Sequence, residues 1–313
     1  MSRFFALRRA AIAGMVGLAT SAAHAAPFEV LDRNIQRRAN GVVAMMGYSV
    51  VPDVTTSSLS INSAESGNPG LWSTQLGGGA TMYDSFPVYL EGMLGYTRYD
   101  PTFVASNGSE NRFLPLRWNT LNVSAGIGWD FFITPKLRLR PILNASVGKV
   151  ASDIRVADWA VEGYTGRDFS FLDGGTMNVY GLGGSMMLVY EDFTPAYEYE
   201  LELRYANIPM HSFGGELHGE ATAQSFGLWT RYRAPTGWQL MDRPVRYVLE
   251  LAHTEYLGQL RGALGFNDLT SLGAGIEFDS SKYHVIVTRT RLVARYVFGN
   301  NVHGASLGLA VSF

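Results

Sequence analysis

The sequence predicts an all-β protein, a transmembrane antiparallel up-and-down β-barrel of about twelve strands with a short helix ahead of the first. Three observations predict it. Apolar and polar residues alternate in runs of about ten, the length that a tilted strand needs to cross a bilayer. Short and long links between these runs also alternate. The chain stops inside an apolar strand, on an aromatic residue.

The elements follow in chain order. Arg3, Arg8 and Arg9 form a basic start, Ala10 to Ala19 a short apolar stretch, and Ala23-His24-Ala25 an A-x-A cleavage site. The stretch is too short to span a bilayer as a helix, so residues 1–25 read as an export signal. Cleavage there leaves 313 − 25 = 288 residues, and the loss of three arginines takes the formal charge from −2 to −5. Residues 26–41 form a helical lead, with Asp32 at its start and Gly41 as its stop; Leu31 and Ile35 share one face, Arg33 and Arg37 another. Residues 42–313 form the barrel.

The predicted strands are 53–62, 71–81, 86–98, 118–133, 136–149, 176–190, 196–207, 220–233, 244–256, 266–278, 283–298 and 303–313. Leu121, Val123, Ala125, Ile127 and Trp129 oppose Asn122, Ser124, Gly126, Gly128 and Asp130. Tyr199, Leu201, Leu203 and Tyr205 oppose Glu198, Glu200, Glu202 and Arg204. Short links (ITPK, EDFTP, DSSK) alternate with the long ones 99–117, 150–175 and 208–219. Two joints depart from the pattern: 234–243 is long for a turn, and 299–302 is short for a loop. A secreted β-sandwich also alternates, but with its charged face in water and its aromatic face buried. Aromatics at strand ends, including Tyr83, Phe86, Trp118, Phe131, Tyr190, Tyr232 and Tyr247, favour a membrane interface instead.

Composition excludes several classes. Without cysteine there are no disulfides, thiolate metal sites or lipid-anchored terminus, and without a basic block nothing points to nucleic acid. Only Lys136, Lys149 and Lys282 are lysines among the 25 basic residues; the arginine excess suits fixed, partly buried ion pairs. Such pairs are expected inside the barrel, where Arg138, Arg140, Arg204, Arg231, Arg246, Arg289, Arg291 and Arg295 face Glu198, Glu200, Glu202, Glu250 and Glu277. The set is either a network that locks the wall or the lining of a narrow channel for anionic solutes. The lead either threads the lumen, with Arg33 and Arg37 against the glutamates and inward glycines (Gly126, Gly128, Gly181, Gly183, Gly227, Gly273, Gly275, Gly308) leaving room for it, or is a frayed periplasmic leader.

The loops carry weaker signals. HSFGGELHGE gathers His211, Glu216, His218 and Glu220, read as a solvated polar loop rather than a metal site; Asn107-Gly108-Ser109 is a glycosylation sequon. His211-Ser212 is the one adjacent pair of hydrolase type, and no third partner is assignable, so no catalytic residue and no cofactor are expected.

Leu307, Leu309, Val311 and Phe313 resemble the C-terminal insertion signal of Gram-negative outer-membrane barrels. Together with the export signal, the lead LDRNIQRRAN, twelve strands and the final SLGLAVSF, the chain resembles an autotransporter translocator. With no passenger between Ala26 and the first strand, it is most similar to the solitary outer-membrane autotransporter β-barrel family. Some autotransporters cleave their passenger at an Asn in the comparable stretch, where Asn34 and Asn40 lie here; without a passenger this activity is not carried over. The resemblance implies a non-enzymatic surface, structural or translocation role in the cell outer membrane. The expected partners are outer-membrane lipid, the barrel-assembly machinery and periplasmic chaperones, with the barrel itself monomeric. A small channel for anionic solutes and an outer-membrane hydrolase are the alternatives.

Overall fold

The computed structural model describes residues 11–14, 28–29, 35–53, 58–61, 70–83, 85–100, 102–106, 111–115, 118–152, 176–214, 219–279, 288–300 and 302–312. Twelve strands build the wall. They are β1 (Ser58–Ile61), β2 (Gly70–Tyr83), β3 (Phe86–Asp100), β4 (Trp118–Trp129), β5 (Leu137–Ser152) and β6 (Thr176–Phe193). The second half comprises β7 (Glu198–Phe213), β8 (Glu220–Leu240), β9 (Arg243–Leu257), β10 (Asp268–Asp279), β11 (Arg289–Gly299) and β12 (Val302–Ser312). Each pairs antiparallel with its neighbours in sequence, and β1 pairs with both β2 and β12, which closes the ring. A further four-residue strand, Ala11–Gly14, lies beside β1 in the gap between β2 and β12.

The wall is inside out relative to a water-soluble sheet. On β4, Leu121 and Ile127 are 52% and 53% exposed, while Asn122 between them is 1% exposed. Large apolar side chains on the outer surface would cost a soluble protein heavily; in a bilayer that same face meets hydrocarbon. This inversion excludes the sandwich. β1 bridges β2 and β12 over Ser58–Ile61, and such closure suits lipid, which offers no hydrogen bonds to an open edge.

The two ends of the barrel differ. At one end the connections are tight: Thr194 N–H donates to Tyr197 O at 2.8 Å, and Met241 and Asp242 alone join β8 to β9. The link predicted as long at 234–243 is therefore mostly strand. At the other end β3 leads into a hairpin of two short strands, Thr102–Ser106 and Asn111–Pro115, against which Phe28–Glu29 pairs in parallel. The connection after Gly299 remains short, with β12 resuming at Val302. The predicted loop cluster around Glu216 and His218, most of 150–175, the sequon and Phe313 lie outside the described residues.

Two expectations need correcting. The helix α1 spans Ile35–Gly47 and runs six residues past its predicted stop at Gly41. Val43 to Met46 are fully or almost fully buried, and that burial outweighs the roughly 1 kcal/mol that a helical Gly costs. Asp53 is not strand, although the sequence predicts the start of the first strand there: it is held in the lumen, accepting hydrogen bonds from Thr254 Oγ1 at 3.1 Å and Tyr256 OH at 3.3 Å, and the described strand is Ser58–Ile61.

Candidate functional site

The lumen is the candidate site, and the inward positions of the strands sort it into three tiers. Towards the tight-turn end they are charged. Midway they are Gly, Ser, Thr and Asn. Towards the long-loop end they are apolar. β7 shows the gradient within one strand, running Glu198, Glu200, Glu202, Arg204, then Ala206, Ile208 and Met210.

The apolar tier holds α1. Val43, Ala44, Met45, Met46, Tyr48 and Val50 form one cluster with Leu71 of β2, Val150 of β5, Met177 and Val179 of β6, and Ile208 and Met210 of β7. Ala221 and Ala223 of β8, Tyr256 of β9, Leu269 of β10, Val297 of β11 and Val302 of β12 continue it around the wall. Met46 faces Gly148 of β5 and Ser49 faces Gly95 of β3, so partners surround the helix. A Cβ on Gly47 would lie 2.7 Å from Leu260 Cδ2, the end of a flexible side chain, so glycine eases the close approach of the helix end and a small residue there needs only that tip to shift. A 3-10 turn at Gly258–Leu260 folds over the cluster, burying Leu260 and Leu264, and Tyr48 OH donates to Leu260 O. The rings of Tyr48, Tyr256 and Phe266 lie 4.5–5.8 Å apart. Each fully buried apolar side chain contributes about 1.5–3 kcal/mol, so packing of Val43 to Val50 is a strong term in seating the helix.

The helix has a direction. Near its start, Asn40 Oδ1 accepts the backbone N–H of Glu220, the first residue of β8 at the long-loop end. Past its end, Ser49 O accepts from Asn122 Nδ2, four residues into β4 from the same end. The chain therefore enters from the long-loop side and descends, with residues 28–29 paired beyond the rim.

The middle tier is polar and small. The buried hydroxyls of Ser146, Ser271 and Ser306 have no hydrogen-bond partner among the described residues, and this is the level suited to ordered water.

The charged tier contains nine arginines (138, 140, 204, 231, 233, 246, 289, 291 and 295) and nine carboxylates: Glu91, Asp130, Glu191, Glu198, Glu200, Glu202, Glu250, Glu277 and Asp279. Arg204 grips Glu91 through two hydrogen bonds of 2.9 and 2.6 Å. Arg140 donates to both oxygens of Asp130, at 2.5 and 3.0 Å, while Arg138 bridges Asp130 and Glu191. Arg231 pairs with Glu200, and Arg233 reaches Glu198, Glu200 and Glu277 at 2.7, 2.6 and 3.1 Å. Arg246 and Arg289 converge on Glu198 and Asp279; Arg291 joins Glu277 to Glu250, and Arg295 donates to Glu250. Glu202 has no direct ion pair among the described residues, and feels the charges of Arg140 and Arg231.

The structure thus gathers the thirteen predicted inward charges in one tier and adds Glu91, Asp130, Glu191, Arg233 and Asp279. Glu91 was legible in principle: it sits midway between the outward Leu90, Gly92 and Leu94 in an alternating run. It escapes notice because its own face reads Tyr89, Met93 and Gly95. The side chain of Arg37 and all of Arg33 lie outside what is described, and α1 meets the wall through apolar residues. Several predicted inward glycines serve the charges rather than the helix. A Cβ on Gly308 would collide with Arg295, and one on Gly126 would lie 2.8 Å from Glu91 Oε1.

His211 faces outward beside the Tyr180 ring, 5.7 Å away, whereas Ser212 falls on the opposite face of β7. Adjacent residues of a strand point to opposite sides, so these two do not form a nucleophile–base pair. No group of three metal-ligating side chains occurs among the described residues.

No family model and no curated protein matches the chain. Among solved structures it is similar to the β domain of the Bordetella autotransporter BrkA (14% identity, 82% of this chain and 95% of that one, TM-score 0.47). It is also similar to the transport unit of the Escherichia coli autotransporter AIDA-I (13%, 90% and 98%, 0.45) and to LpxR from Salmonella typhimurium (12%, 80% and 90%, 0.42). At these values the likeness extends to barrel architecture alone.

Proposed function

We propose that this is a non-enzymatic outer-membrane barrel that holds its own N-terminal segment through the lumen and displays it at the cell surface, in the manner of a translocator. By the usual orientation of such barrels, the tight turns face the periplasm and the long loops face outward. One observation carries the reading: Asn40 of α1 bonds the long-loop rim at Glu220, and Ser49, two residues past the helix, bonds deeper in the lumen at Asn122. The charged tier supports a closed rather than a conducting state. Among the described residues its nine arginines are matched by nine carboxylates, which leaves no net positive field there to draw anions, and direct pairs across it brace the wall. The export signal at residues 1–25 supplies the route to the periplasm in this reading.

The test uses the natural absence of cysteine. Glu29→Cys is expected to react with a membrane-impermeant maleimide on intact cells, while Lys136→Cys, in a tight turn, reacts only after permeabilisation. Protection of Glu29→Cys on intact cells would overturn the proposal.

A further inference from the structure

The β8–β9 hairpin extends beyond the barrel. Pairing of β7 with β8 stops at Glu198–Arg233, and pairing of β9 with β10 stops at Val245–Phe278. Residues 234–244 therefore continue at the tight-turn end as a two-stranded ribbon without flanking strands among the described residues. Such a ribbon is marginal in water. This one is also apolar at its tip: Trp238 is 77% exposed, Leu240 51% and Met241 86%.

Its backbone is shaped for that display. The register shifts between Pro235 and Gln239, and Gly237 has φ +80°. Thr236 Oγ1 pins the bulge, donating to Val245 O at 2.8 Å and accepting from Trp238 N–H at 3.0 Å. Bulges bend a ribbon and re-aim its side chains. At the turn, Met241 and Asp242 both have positive φ, 54° and 59°. Asn-Gly fits such a turn without strain, whereas a long unbranched side chain seldom occupies it. Keeping a fully displayed Met in a strained position points to a use for that side chain.

We propose that the ribbon tip is a membrane-surface anchor that seats in the headgroup layer of the periplasmic leaflet and sets the depth of the barrel. The occupant is lipid because the tip continues the lipid-facing belt. Tyr197 stacks on Tyr232 at 6.0 Å, Tyr232 lies 6.0 Å from Tyr247, and Tyr247 pairs with Ala234, where the ribbon begins. Trp is the side chain most at home at that level. Asp242 and Arg243 are the only charges between residues 234 and 244 and cancel formally, which suits a zwitterionic surface.

The experiment places a nitroxide on Met241→Cys in the full chain, reconstituted in vesicles of phosphatidylethanolamine and phosphatidylglycerol. Folding is verified by heat-modifiable gel mobility. The anchor predicts that collisions with oxygen exceed collisions with a water-soluble nickel complex. It also predicts that brominated lipid quenches less of the total fluorescence in Trp238→Phe than in the parent. A nitroxide that meets nickel more than oxygen overturns the proposal, as does spin–spin broadening that reveals a second copy on the tip.

Discussion

Arg204 and Glu91 clasp each other across the lumen, from β7 to β3, although three strands lie between them in the wall. Both are buried, and Glu91 is held further by Asn144 Nδ2 at 2.6 Å, while Ser185 Oγ accepts from Arg204 at 3.1 Å. A pair of this kind gives modest net stability, but removing one member strands a buried charge. Arg204→Met is expected to destabilise the barrel by about 3–5 kcal/mol, and Arg204→Met with Glu91→Met to recover most of that loss. Urea midpoints in detergent for the two singles and the double complete the cycle.

α1 packs against the apolar tier of the lumen, and in the proposed reading this closes it, so a charge introduced there is expected to unseat the helix. Met46 is fully buried, and Met46→Asp places an unpaired carboxylate in an apolar cluster at a cost of several kcal/mol. Planar-bilayer recordings should show no sustained conductance for the parent and open events for Met46→Asp.

Charge balance governs what an opened lumen would pass. In the Met46→Asp background, weak ion selectivity is expected at first. Adding Glu198→Gln and Glu277→Gln leaves Arg233 and Arg289 without these partners and gives the tier an excess of two positive charges. The reversal potential in a salt gradient should then move in the direction of anion preference.

Leu260, the last residue of the 3-10 turn over α1, is 1% exposed, and the proposed outer seal depends on it. Leu260→Ala is expected to cost about 2–4 kcal/mol locally through the cavity that it leaves. Hydrogen exchange should quicken at backbone amides of 258–266, where Gly262 N–H donates to Phe266 O at 3.1 Å, and remain slow in β9.

Much of this fold was legible because its signal is local. On β4 from Leu121 to Trp129 and on β7 from Glu198 to Tyr205 the large apolar residues face out and the polar or glycine residues face in, so period 2 alone assigns the faces there. The predicted inward charges were legible for the same reason. Their partners across the lumen were not: Arg204 and Glu91 are 113 residues apart, and periodicity assigns a face without assigning a distant neighbour. The helix boundary failed for a related reason. Gly41 reads as a stop only until the lumen offers Val43, Met45 and Met46 somewhere to bury themselves. The ribbon at 234–240 was hidden because Pro235 and Gly237 interrupt the alternation that marks a strand, and its bulge is what accommodates them.

The most direct test of a helix seated in the barrel is a crosslink between Gly47→Cys and Ala223→Cys. A Cβ on Gly47 lies 3.3 Å from Ala223 Cβ, close to the separation in natural disulfides. With no other cysteine in the chain, mild oxidation of intact outer membranes should join α1 to β8 in nearly all molecules, seen as a reducible mobility shift after denaturation. A folded, heat-modifiable barrel in which the two thiols stay free and alkylate independently would contradict it.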